Sequence, residues 1–168
     1  VGAAVRTGYS FAIENGYDFV VQIDADGQHD PHHIPTMFDK LCKEQLDMVI
    51  GSRWLNESYR EYSLIRRLGI RFFTFQVNLM GGIKISDLTS GFRVYRTSML
   101  SNLTDPEDSH WALEQTLEAA LKNYSIGEVS VYMEPNTVGS QFDFSTFVRY
   151  PMRMIYSTGK VIFNTYIK

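Results

Sequence analysis

Two aspartates two residues apart, Asp24 and Asp26, stand in the segment Asp24-Ala25-Asp26-Gly27-Gln28-His29-Asp30-Pro31. Carboxylates this close repel one another, and a shared proton or a bound cation relieves the repulsion. Their oxygens suit a hard divalent ion, Mg2+ or Mn2+, that keeps positions open for substrate phosphates. Such an ion neutralises charge developing on a diphosphate leaving group. Asp and Gly are also ordinary turn residues, so spacing alone leaves a plain acidic turn equally open.

Other chemistries for this cluster fit less well. A calcium loop of EF-hand type needs Gly at its sixth position and Glu at its twelfth; counted from Asp24, those places hold His29 and Pro35. A phosphatase with an aspartyl nucleophile would carry Thr or Val where Gln28 stands. His29, His32, His33 and Cys42 have no recognisable zinc-ligand spacing, and the histidines read as solvated loop residues. Cys42 is the single cysteine; it falls in an apolar stripe and is expected to be a buried structural thiol in a reducing compartment.

The elements that must position these groups follow from periodicity. Val1, Val5, Gly8, Phe11 and Ala12 recur at helical spacing, and Asn15-Gly16 stops that helix. Residues 19–23 form a short apolar, β-branched run, a buried strand that delivers Asp24 at its C-terminal end. Pro31 and Pro35 open a helix with the stripe Ile34, Met37, Phe38, Leu41, Cys42. A second buried strand, 47–51, ends at Gly51-Ser52-Arg53. Then come a polar loop, a long helix over 64–79, the loop 86–91, a strand at 92–95, a helix around 111–122 and a strand over 126–133. Strands alternating with helices predict an α/β fold with a mostly parallel sheet flanked by helices. Ligands of such sheets bind beyond the carboxyl ends of the strands, where Asp24 and Arg53 both fall.

The 168 residues suffice for one domain. A net charge of -3 supplies no basic field for nucleic acid. No signal-peptide pattern opens the chain, and no apolar run approaches the roughly 20 residues of a bilayer span. Val1 already lies inside a helical pattern, so the sequence reads as an N-terminally trimmed piece.

The acidic segment, then Gly51-Ser52-Arg53, then Asp87-Leu88-Thr89-Ser90-Gly91-Phe92-Arg93 resemble, in that order, the motifs of family 2 glycosyltransferases with the GT-A fold. The likeness is nearest to dolichyl- or polyprenyl-phosphate sugar synthases, and Glu114 and Glu128-Val129 continue it. The resemblance implies an inverting transfer of a sugar from a nucleotide-diphosphate sugar donor to a polyprenyl phosphate or a glycan or lipid-linked acceptor. It implies that Asp24, Asp26 and Gln28 hold Mg2+ or Mn2+, with Asp24 also facing the donor. Arg53 would contact phosphate, and Arg66 and Arg67 the acceptor's phosphate, for which planar guanidinium groups are suited. Ser90 and Arg93 would shape the acceptor side beside Asp87. Asp26, Asp87 and Glu114 form the candidate catalytic group. A hydroxyl acceptor would need Asp87 or Glu114 as general base, a phosphate acceptor would not, and Glu114 could instead orient Arg93 or a loop. The sequence departs from the subgroup at Ile70, at Ser130 and over 136–139.

The nucleotide-binding first half of that fold has no counterpart here, so residues 1–143 read as a partial GT-A domain that would be inactive alone. Residues 144–168 mix aromatic and aliphatic residues with Arg149, Arg153, Lys160 and Lys168. They form an amphipathic segment suited to a membrane interface, or to packing on the sheet. The expected location is the cytoplasm, at the cytoplasmic face of a membrane. The alternative to an enzyme is a non-catalytic scaffold or binding module derived from a glycosyltransferase domain.

Overall fold

The computed structural model describes residues 2–56, 58–104, 111–133 and 144–166, with the side chains of 61, 144–151, 153 and 154 excepted. In chain order the regular elements are α1 (Gly2–Glu14), β1 (Phe19–Gln22), α2 (Ile34–Lys43), β2 (Met48–Ser52), α3 (Leu64–Gly81), β3 (Arg93–Arg96), α4 (Thr97–Leu100), α5 (Trp111–Leu121), β4 (Ile126–Ser130) and α6 (Phe144–Tyr166). Short 3-10 turns at Pro31–His33 and Ser58–Glu61 precede α2 and α3.

The four strands form one sheet in the order β1-β3-β2-β4. β3 is antiparallel to both β1 and β2, whereas β4 is parallel to β2. Three strands therefore share one direction and β3 alone is reversed, so the sheet is mixed. It is an α/β arrangement of partial GT-A-like form.

β2 explains the layering. All five of its residues are buried, which requires cover on both faces. Its alternate side chains enter two cores. Met48 and Ile50 join Tyr95, Phe73, Val77, Leu113 and Leu117 on the side of α1, α3 and α5. Val49 joins Met37, Leu41, Phe92 and Val94 on the side of α2. Within α2 the fully buried Met37 and Leu41 are one helical turn apart, the stripe the sequence predicts. Cys42 is half-buried at the edge of that second core, less enclosed than expected.

The helix ends follow local chemistry. The Asp30 side chain accepts the His32 N–H at 2.9 Å and Pro31 opens the 3-10 turn leading into α2. The Ser63 hydroxyl accepts the Arg66 N–H at 3.3 Å to start α3, which stops at Gly82. One expected boundary changes, and one further element is present. The strand expected over 126–133 ends at Ser130, and beyond it Met133 forms an isolated antiparallel bridge with His29. The one-turn helix α4 is too short to carry a periodic signal.

Candidate functional site

The reversal of β3 builds the site. β1 and β2 end at the same edge of the sheet, delivering Asp24 and Arg53. An antiparallel β3 must begin at that edge, so the preceding loop, residues 86–91, arrives beside them. Three motifs far apart in the sequence thus meet beyond the ends of co-directional strands, where ligands of such sheets bind.

Asp24 lies against Gly91. A Cβ at position 91 would overlap the Asp24 carboxyl group, so glycine leaves the space in which that carboxylate sits. The ring of His29, with Nε2 3.6 Å from Asp24 Oδ2, is the main influence holding the carboxyl below the usual carboxylate range. Partial burial opposes the shift, and the positive charges of Arg53 and Arg93 add to it. The Asp24 side chain remains 40% exposed while that of His29 is 4% exposed, so solvent reaches the carboxylate and not the ring behind it. His29 is therefore not the solvated loop residue expected: it packs edge-on against Phe92, with ring centroids 5.3 Å apart.

Asp26 is exposed at the tip of the turn, where Oδ1 accepts the Gln28 N–H at 3.0 Å. Gly27 takes φ +79, a left-handed conformation that glycine adopts without penalty. Among the described residues no group of three or more His, Cys, Asp or Glu side chains could by itself enclose a metal. Asp24 is partly exposed and Asp26 exposed, so both carboxylates are open to solvent.

Arg53 and Asp87 form a buried ion pair. Arg53 Nε and Nη2 donate to Asp87 Oδ2 and Oδ1, each at 2.6 Å, and the Arg53 backbone N–H donates to Oδ2 at 3.1 Å. Nη1 donates to the Tyr62 hydroxyl at 2.7 Å and Nη2 to Thr89 Oγ1 at 2.6 Å. Burial disfavours the guanidinium charge, but Asp87 and Tyr62 outweigh it and the group is held charged. Asp87 is fully buried.

The other residues singled out by sequence fall into distinct positions. The Arg66 guanidinium stacks on the Tyr62 ring, 3.9 Å from its centroid, and so joins the Arg53 group through that tyrosine. Arg67 is half-buried, and its Nε is buried without a hydrogen-bond acceptor among the described residues. Ser90 is buried, and its hydroxyl accepts the Phe92 N–H at 3.3 Å. Arg93, fully buried, donates to the carbonyls of Leu88, Ser90 and Ala112 and to Thr116 Oγ1. Its guanidinium is thus engaged in fastening the 88–90 loop to α5, and it bears on the site through that loop. Glu114 is buried on α5 and lines a different space, a small cavity shared with Thr104, Glu118, Lys160, Val161 and Asn164. Residues 136–139 lie outside the described residues.

Sequence reasoning gave no role to Tyr62 or Gly91. A glycine directly before a strand was the available signal for the close approach at position 91; nothing in the polar loop distinguished Tyr62.

A mixed α/β sheet with reachable carboxylates after one strand and a buried arginine–aspartate pair after the next has the outline of a nucleotide-sugar transferase domain. Residues 1–104 match the family described as Glycosyl transferase family 2, and the chain belongs to that family. It is 34% identical over 138 residues to a UDP-N-acetylglucosamine–dolichyl-phosphate N-acetylglucosaminyltransferase of Methanococcus voltae, covering 78% of this chain and 54% of the relative. It is 31% identical over 101 residues to an undecaprenyl-phosphate mannosyltransferase of Micrococcus luteus, covering 60% and 41%. A polyprenol monophosphomannose synthase of Mycolicibacterium smegmatis is 26% identical over 144 residues, covering 83% and 54%. The chain spans about half the length of these relatives.

Proposed function

We propose that this chain supplies the metal-binding and acceptor-side part of an inverting glycosyltransferase that moves a sugar from a nucleotide-diphosphate sugar to a polyprenyl phosphate. The observation that carries the reading is the meeting of Asp24, the Arg53–Asp87 pair and the 86–91 loop at one sheet edge. The names of the relatives supply the acceptor class.

Burial favours a phosphate acceptor over a hydroxyl. Of the two candidate bases, Asp87 is fully buried and bonded to Arg53 through both oxygens, and Glu114 is buried on α5. Neither stands as an accessible carboxylate ready to take a hydroxyl proton, which general-base catalysis requires. A phosphate is already ionised near neutral pH. One of its oxygens forms the bond to the anomeric carbon, the bond from that carbon to the diphosphate oxygen breaks, and the nucleotide diphosphate leaves with the electron pair. Asp24, Asp26 and Gln28 would hold Mg2+ or Mn2+, which when bound supplies neutralising charge for the diphosphate. The residues of this chain position the reactants and stabilise charge.

Membrane contact belongs to the same reading, because a polyprenyl chain resides in a bilayer. No helix among the described residues is long and apolar enough to cross one. Two helices nevertheless expose apolar faces: Leu64, Leu68, Phe72, Phe75 and Leu79 on α3, and Met152, Ile155, Tyr156, Phe163 and Tyr166 on α6. α3 carries Arg66, Arg67 and Arg71 and no acidic residue; α6 carries Arg149, Arg153 and Lys160 and likewise no acid. In a chain of net charge -3, cationic helices with exposed apolar faces suit an anionic bilayer surface. Of the basic residues expected to anchor the C-terminal segment, the side chains of Arg149 and Arg153, and Lys168 altogether, lie outside the described residues.

The test is transfer from a panel of UDP- and GDP-sugars to a polyprenyl phosphate by the whole protein. Asp26→Ala is expected to lower transfer by about 10²-fold or more with an unchanged melting temperature, since Asp26 is exposed. Normal turnover by that variant would remove the metal assignment. Absence of metal-dependent nucleotide binding in the wild type would favour the scaffold reading.

A further inference from the structure

Glu128 lies on β4, paired with Ile50 of β2, and has so far been given no role in the site. Its carboxylate nevertheless reaches the loop that carries Asp87. Oε1 accepts the Asp87 backbone N–H at 2.9 Å, and Oε2 accepts the Ser86 backbone N–H at 2.8 Å and the Ser86 hydroxyl at 2.9 Å. With its proton given to Glu128, the Ser86 hydroxyl must accept from Ser52 Oγ, 2.7 Å away. Ser52 Oγ in turn accepts the Trp54 N–H at 3.2 Å. One carboxylate is thus tied to the segments on both sides of the Arg53–Asp87 pair: the 86–87 loop directly, and residues 52–54 through two hydroxyls.

We propose that Glu128 is a positioning residue for the acceptor side of the site, fixing through Ser86 and the Asp87 N–H the geometry in which Asp87 holds Arg53. This assignment rests on the reading of the Arg53 group as the acceptor side. The physical reason is the number and kind of bonds. A carboxylate accepting two adjacent backbone N–H groups and a hydroxyl fixes a loop more firmly than neutral acceptors would. The arrangement also places a second carboxylate near Asp87. Burial, with the Asp87 charge adding to it, pushes the Glu128 carboxyl above its ordinary range, against the hydrogen bonds it accepts. Glu128 therefore sits at an electrostatic cost that the hydrogen bonds from Ser86 and Asp87 oppose.

Glu128→Gln keeps the shape but turns one acceptor oxygen into an amide donor facing a backbone N–H. Glu118→Gln is the control. Glu118 caps another loop in the same manner, accepting the Thr104 N–H and hydroxyl, away from Arg53 and Asp87. In the whole protein, Glu128→Gln is expected to raise the KM for a polyprenyl phosphate about tenfold while the donor KM stays within about twofold. Glu118→Gln is expected to move neither. Added to Arg53→Lys, Glu128→Gln should worsen the acceptor KM by less than about twofold, because both changes act on one unit. An unchanged acceptor KM, or effects that multiply, would overturn the proposal.

A second readout needs no turnover. The Arg53 Nε–H resonance in a 1H–15N spectrum of the chain is identified by its loss in Arg53→Lys. It should shift or broaden in Glu128→Gln and stay in place in Glu118→Gln; a resonance unmoved by Glu128→Gln overturns the assignment. If the wild type transfers no sugar to polyprenyl phosphate, the functional reading fails on its own, and the spectrum still decides the role of Glu128.

Discussion

At the scale of single residues, the Arg53–Asp87 pair dominates the energetics of the site. Both partners are buried, with two parallel bonds of 2.6 Å. Breaking such a pair from one side leaves an uncompensated buried charge. Arg53→Met is therefore expected to destabilise the protein by about 3–5 kcal/mol, measured by urea unfolding. Arg53→Met combined with Asp87→Leu should recover part of that loss, because no charge is then stranded. Full retention of stability in Arg53→Met would mean that solvent reaches Asp87. Asp24 differs in kind. Its carboxylate is held low mainly by His29 and remains open to solvent, unlike the enclosed Arg53–Asp87 pair.

At the scale of elements, α3 serves two purposes through two faces. Ile70, Phe73, Thr74 and Val77 are buried against the rest of the fold, spaced at three and four residues as a helix face requires. The opposite stripe from Leu64 to Leu79 is exposed, with Phe72 at 55% and Phe75 at 64% accessible. Replacing Phe72 and Phe75 by Glu is expected to cost little stability. It should reduce binding to vesicles of anionic phospholipid by about tenfold or more, given the apolar area withdrawn from the interface. Co-sedimentation measures this, and undiminished binding would locate the contact elsewhere, with α6 the next element to alter. The N-terminus of the same helix brings Arg66 onto Tyr62, so the exposed apolar stripe and a contact to the Arg53 group share one helix.

For the whole molecule, the notable feature is β1 at the end of the sheet order. Phe19-Val20-Val21-Gln22 contains neither charge nor proline, and Val21 is 38% exposed. Among the described residues β1 is an apolar edge strand, and such an edge is a template for pairing with another strand. On heating, this chain is expected to associate through that edge. Val21→Lys should raise the temperature at which light scattering begins by several degrees, with the midpoint of unfolding changed by less than about 1 kcal/mol in stability terms. An unaltered onset would place the sticky surface on α3 or α6 instead.

The sequence by itself determined most of the elements and the identity of the motifs. A short apolar run marks β2, and periods of three to four residues mark α2 and α3, because side-chain direction follows directly from backbone repeat. The family likeness likewise rests on local strings around Asp24, Arg53 and Asp87. Three things depended on the tertiary structure. The reversal of β3 places the 86–91 loop beside Asp24, and a short apolar strand carries no mark of its direction. The burial of His29 depends on Phe92 and Met133, remote in sequence. The clamp of Glu128 on Ser86 and Asp87 spans more than forty positions. Each is a pairing between distant segments, fixed by sheet order and packing, and no window of the chain short enough to show a period contains both partners.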